Sequence, residues 1–137
     1  MNDKPIGVRV YVVLLERNAD LACDAERVVA VYARCGFEVV RHQGPISVHG
    51  VATGAREARA AAVLLGTSDP AATRVYKLAL RDFIDYVMAV GVPANNDERE
   101  GDMGAAYVIE PTVDDARLVW EAESIFRQAR GERESSM

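Results

Sequence analysis

The stretch PAATRVYKLALRDFIDYVMAV, residues 70–90, decides how the rest of the chain must be read. It follows Gly66-Thr67-Ser68-Asp69, in which Asp69 can cap a helix and Pro70 can take the first helical position, where its missing N–H costs nothing. Ala72, Val75, Ala79, Phe83, Tyr86 and Val90 recur at spacings of three and four. Gly91 and Pro93 close the run, so the spacing predicts one helix over 70–90. A second apolar row, Tyr76, Leu80, Ile84 and Met88, lies beside the first. Together the rows cover roughly 200° of the helix, where about 100° suffices for contact with a single neighbour. This surplus of apolar surface is the informative anomaly of the sequence.

Toward the N-terminus, Val8 to Leu15 is β-branched, apolar and too short for an ordinary helix, which predicts a central strand. Asn18 or Asp20 caps the next element, in which Leu21, Ala25, Val28, Tyr32 and Cys35 form one helical stripe ended by Gly36. Phe37 to Arg41 is a second strand, and the short helical crossover makes the pair parallel. Ile46 to Val51 alternates weakly and reads as a sheet extension or hairpin arm. A third strand is expected over about Ala60 to Leu65, although the alanines of 56–65 also suit a helix.

Toward the C-terminus, Ala94 to Met103 is an acidic loop and Ala105 to Ile109 a strand. Thr112 with Asp115 resembles a capping box for a helix over Val113 to Ala129, with Leu118, Ala122, Ile125, Phe126 and Ala129 facing inward. The expectation is a single α+β domain over residues 1–130 and a disordered tail over 131–137. Its architecture reads as a ferredoxin-like sheet of four to five strands with helices on one face; the alternative is a three-layer α/β sandwich.

Composition narrows the function classes. Half of the 137 residues are hydrophobic, enough for a core without disulfides or metals. The formal net charge of -5 excludes a general basic field, so nucleic acid is an improbable partner. No apolar run approaches the ~20 residues that cross a bilayer, and residues 1–5 lack a signal-peptide pattern, which together point to the cytoplasm. Cys23 and Cys35 lie at opposite ends of one predicted helix, roughly 18 Å apart, too far for a disulfide.

Motifs that carry chemistry are sparse. There is neither G-x-G-x-x-G nor G-x-x-x-x-G-K-[ST]. Gly66 to Asp69 stands where a helix N-terminus could receive an anion, but the Asp69 carboxylate would occupy those donors itself. Val31 to Val40 resembles a helix–glycine–strand passage of the N-acetyltransferase superfamily; the glycine-rich acetyl-CoA loop of those enzymes is missing, and no acetyltransferase is inferred. No metal site and no cofactor are expected. Cys23 in a first helical turn is either a reactive thiol or incidental. Arg74, Lys77 and Arg81 read as a solvated helix face.

If a ligand pocket exists, Arg41, His42, His49 and Arg56 are its expected polar groups. The surplus apolar helix surface, with Trp120 lying off the stripe of its own helix, predicts a homo-oligomer joined through Ile84, Met88 and Trp120; the alternative is that Trp120 folds against Ile84 and Met88 within one chain. Three functions fit these features: a non-catalytic, self-associating regulatory or small-ligand-binding domain; a small dimeric α+β enzyme; and a phage or mobile-element protein that blocks a host factor.

Overall fold

A computed structural model of the chain describes residues 7–80, 84, 86–91, 107–109 and 114–135. Its elements in order are β1 (Arg9–Leu14), α1 (Ala19–Arg34), β2 (Glu38–Arg41), α2 (Val48–Glu57), β3 (Ala62–Gly66), α3 (Pro70–Leu80), β4 (Tyr86–Val90), β5 (Tyr107–Ile109) and α4 (Asp115–Ser135). The strands form one five-stranded sheet in the order β2-β1-β3-β4-β5, and every neighbouring pair is parallel. Val12 stands opposite Leu64, and Leu64 opposite Met88, so the register runs straight through the centre of the sheet.

This overturns the ferredoxin-like expectation. The sheet is all-parallel and carries helices on both faces, the three layers of the alternative reading. The error lies in residues 70–90. The described helix spans Pro70–Leu80, and Tyr86–Val90 is a strand whose five residues are all buried. A central parallel strand covered on both faces does not alternate polar with apolar; it reads as a continuous apolar run. The second apolar row therefore belongs partly to a strand: Ile84 and Met88 pack on opposite sides of the sheet. The helical stripe is also rotated. Thr73, Tyr76 and Leu80 are buried, while Val75, expected in the core, is 50% exposed.

A second correction concerns Ile46 to Val51. Ser47 caps a helix there by accepting a hydrogen bond from the Gly50 N–H, and α2 begins at Val48. Gly54 on α2 leaves room for the hydroxyl of Tyr11, which a Cβ at that position would strike. Further along, α4 continues to Ser135, past the residue where the domain was expected to end. Its start is capped by Asp114, whose side chain accepts from the Arg117 N–H. The expected acidic loop over Ala94 to Met103 and the Thr112 cap lie outside the described residues.

Two cores result, one on each face. Even-numbered positions of β1, β3 and β4 (Val10, Val12, Leu64, Met88) pack under α1 and α4. Odd-numbered positions (Tyr11, Val13, Val63, Leu65, Val87) pack under α2 and α3. α1 has the predicted signals: Asn18 accepts from the Asp20 and Leu21 N–H groups, and Gly36 follows the helix with φ +114. A Cβ on Gly36 would also lie 2.9 Å from the ring of Phe126, so space and backbone both demand glycine.

The strand order places a candidate crevice. From β1 the chain moves outward to β2 at the sheet edge, then returns past β1 to β3. Right-handed crossovers put the helices before and after that reversal on opposite faces. The loops leaving β1 and β3 therefore part at their carboxyl ends. Open α/β sheets bind ligands in the crevice at this kind of reversal.

Candidate functional site

Three residues meet in that crevice: Glu16, two residues beyond β1, and Thr67 and Ser68, directly after β3. Glu16 Oε1 accepts from the Thr67 hydroxyl at 2.9 Å, from the Ser68 backbone N–H at 2.9 Å and from the Ser68 hydroxyl at 3.0 Å. The second carboxylate oxygen lies 3.0 Å from the Ser68 hydroxyl. The chain thus puts its own carboxylate where an open α/β fold offers donors to a ligand anion.

The loop that supplies these donors is tied down from all sides. The Thr67 hydroxyl accepts from the Asp69 N–H while donating to Glu16, so both of its roles are filled. Asp69 Oδ1 accepts from the Ala71 N–H, as its capping position implied. The Thr67 N–H reaches Val90 O at the end of β4, and the Leu15 N–H reaches Gly66 O. Thr67 is buried and Glu16 half-buried. The Ser68 N–H, and with it the two hydroxyls, holds the Glu16 carboxyl below its ordinary value against the opposing effect of burial.

The residues proposed for a ligand pocket are not gathered into one. Arg41, on the edge strand β2, makes a two-pronged ion pair with Glu26 of α1, both contacts at 2.6 Å. His42 is enclosed by its own neighbours. Its Nε2 lies 3.0 Å from Pro45 O, a group that can only accept, and its Nδ1 lies 2.6 Å from the Tyr11 hydroxyl. Burial, with Glu57 nearby, raises the Tyr11 phenol above its ordinary value, which keeps it a donor. Arg41 and His42 border a hollow of about 250 Å³ beside Ile46. His49 and Arg56 are on α2 instead, along a depression of about 870 Å³ between α2 and α3.

The expected interface is corrected as well. Ile84 and Met88 are 3% and 1% exposed and belong to opposite cores, so they present no common surface. Trp120 stands apart from them on α4 at 65% exposure. Cys23 and Cys35 are both free thiols. Among the described residues no group of three His, Cys, Asp or Glu side chains is placed to hold a metal ion. Among the same residues, no helix is long and apolar enough to cross a membrane.

Glu16 is not among the residues that the sequence alone marks as candidates. The available signal was its position: an acidic residue immediately after the apolar run of a central parallel strand stands at the carboxyl edge of the sheet, where ligand-facing groups occur.

Comparison with known proteins bears on the fold. A crystal structure of a CheY-like protein, tadZ, from Pseudomonas aeruginosa PAO1 matches with a TM-score of 0.61. The match covers 86% of this chain and 93% of that chain at 16% sequence identity. It supports a CheY-like α/β architecture. No protein-family model and no curated protein matches the sequence.

Proposed function

We propose that the chain is a non-catalytic regulatory module of CheY-like fold that acts in the cytoplasm through protein contact and self-association. The observation that carries this reading is the Glu16 carboxylate seated on Thr67 and Ser68. An anion reaching the crevice would have to displace a tethered carboxylate already satisfied by three donors. The β3–α3 loop is therefore held in one arrangement, and the crevice serves as a structural latch. The CheY-like neighbour supports a regulatory role by analogy of fold alone.

The test is titration of the protein with inorganic phosphate, followed at the Ser68 amide by NMR. The expected result is no saturable shift in the wild type and a saturable shift in Glu16→Ala, where the donors are vacated. A saturable wild-type response centred on Ser68 overturns the latch and restores a ligand-binding reading of the crevice.

A further inference from the structure

The outer side of α3 is apolar where, among the described residues, no element covers it. Thr73, Tyr76 and Leu80 turn to the sheet and are buried. At about 100° per residue, Leu78, Ala71, Val75, Ala79 and Ala72 then follow one another around roughly 120° of the remaining surface, with no polar side chain between them. Val75 is 50% exposed and Leu78 56%. A helix of a single-layer contact needs only one apolar stripe, and α3 has a second.

The second stripe adjoins the depression of about 870 Å³ between α3 and α2. Small or short side chains, Val48, Ala52 and Ala79, line part of it, and Arg56 with Glu57 lines its α2 side. The exposed Val75 and Leu78 therefore form an apolar ridge on the same helix as Ala79, which borders that groove with Ala52.

We propose that this α2–α3 face is a self-association surface, and that its occupant is the same face of a second copy of this chain, related by a two-fold axis. Three observations favour a second copy over an unrelated helix. A ridge beside a groove is self-complementary, because a two-fold axis seats each ridge in the other groove. Arg56 and Glu57 are adjacent and opposite in charge, so the same axis can bring each against its counterpart in the other copy; a one-sided basic or acidic wall would instead call for a partner of opposite charge. The size also fits a weak dimer. Two helices of ten and eleven residues, about 15–16 Å long at ~1.5 Å per residue, cover on the order of 500 Å² on each copy. The total of roughly 1,000 Å² lies at the lower bound of specific interfaces. This inference deepens the reading of the chain as a contact module. It fails or stands independently of the crevice, because its readout is mass and that of the crevice is the Ser68 amide.

Sedimentation equilibrium at roughly 100 µM, a range in which a weak interface of this class is populated, should give a mass above the 14.9 kDa of one chain. Leu78→Glu and Arg56→Glu should each return the protein to monomer, and Arg56→Glu combined with Glu57→Arg should recover the dimer. Trp120→Glu should leave it intact. A monomeric wild type overturns the proposal, and so does a dimer that survives Leu78→Glu. If circular dichroism shows that Leu78→Glu has unfolded, amide hydrogen exchange of the wild type decides. Protection of α3 that rises with protein concentration supports the face, and protection independent of concentration overturns it.

Discussion

The two helical layers on this sheet are built differently. The α1–α4 side is closed by charge and by rings. Arg27 on α1 reaches Asp115 on α4 at 2.9 Å, and Phe37 meets Phe126 edge-on at a centroid distance of 5.4 Å. Its exposed Trp120 stands singly, with Arg117 and Glu121 paired along the same helix. The α2–α3 side has Val75 and Leu78 in the open beside a groove. An isolated exposed aromatic is ordinary on a soluble protein, whereas a continuous apolar patch marks a contact surface. By that rule the run of modest residues sharing a helix face on α3, and not the stray Trp120 that stands out in the sequence, is the candidate contact surface.

The largest expected effect separates the inner from the outer side of α3. Leu80 and Leu118 are 0% exposed, one under each layer. Truncating either to alanine should cost about 2–5 kcal/mol, read as a lower midpoint in urea unfolding. Val75→Ala should cost far less, since the side chain is half in solvent. If Val75→Ala proved the more damaging of the α3 changes, the helix would be seated the other way round and the asymmetry between layers would vanish.

A smaller effect concerns the crevice between the layers. The Glu16 carboxyl is lowered by its donors, so its contribution is complete above the ordinary carboxylate range, about 4.3. It is lost as the pH falls through the lowered folded value. Acidification below that range should lower the protection of the Ser68 amide, measured against its intrinsic exchange rate at each pH, and Glu16→Gln should lack this acid step. An unchanged step in the variant would assign it to another carboxyl, such as Glu26, which Arg41 also holds low.

The smallest expected effect is at Trp120. Trp120→Ser should move stability by no more than about 0.5 kcal/mol, as for a surface site. As the chain's one tryptophan, it should emit at long wavelength and be quenched by iodide. A blue-shifted, unquenched emission would mean that the α4 surface is covered and that both layers have partners.

Much of the fold was legible where short-range rules operate. The apolar run of β1, the Asn18 cap and Gly36 stop of α1, and the Asp69 cap of α3 each depend on residues within a few positions of one another. The site was less legible. Asp69 could be placed at its loop, but nothing near Glu16 in the chain names Ser68, which lies 52 positions away. Arg41, His42, His49 and Arg56 are close in sequence, yet β2 and α2 carry them to separate surfaces.

By itself, then, the sequence determined the chain's hydrophobic content, its acidic charge and those elements whose period and caps are local. Only the tertiary structure decided that 86–90 is a strand. Apolar residues at every position satisfy a helix and a doubly buried strand equally well, and the choice rests on hydrogen bonds to β3, which cannot be read from the segment itself. The same holds for the crevice and for the unequal layers. The crevice arises from the reversal of strand order at β1 and β3, and the unequal layers from which helices pack on which face, both properties of how distant segments are arranged.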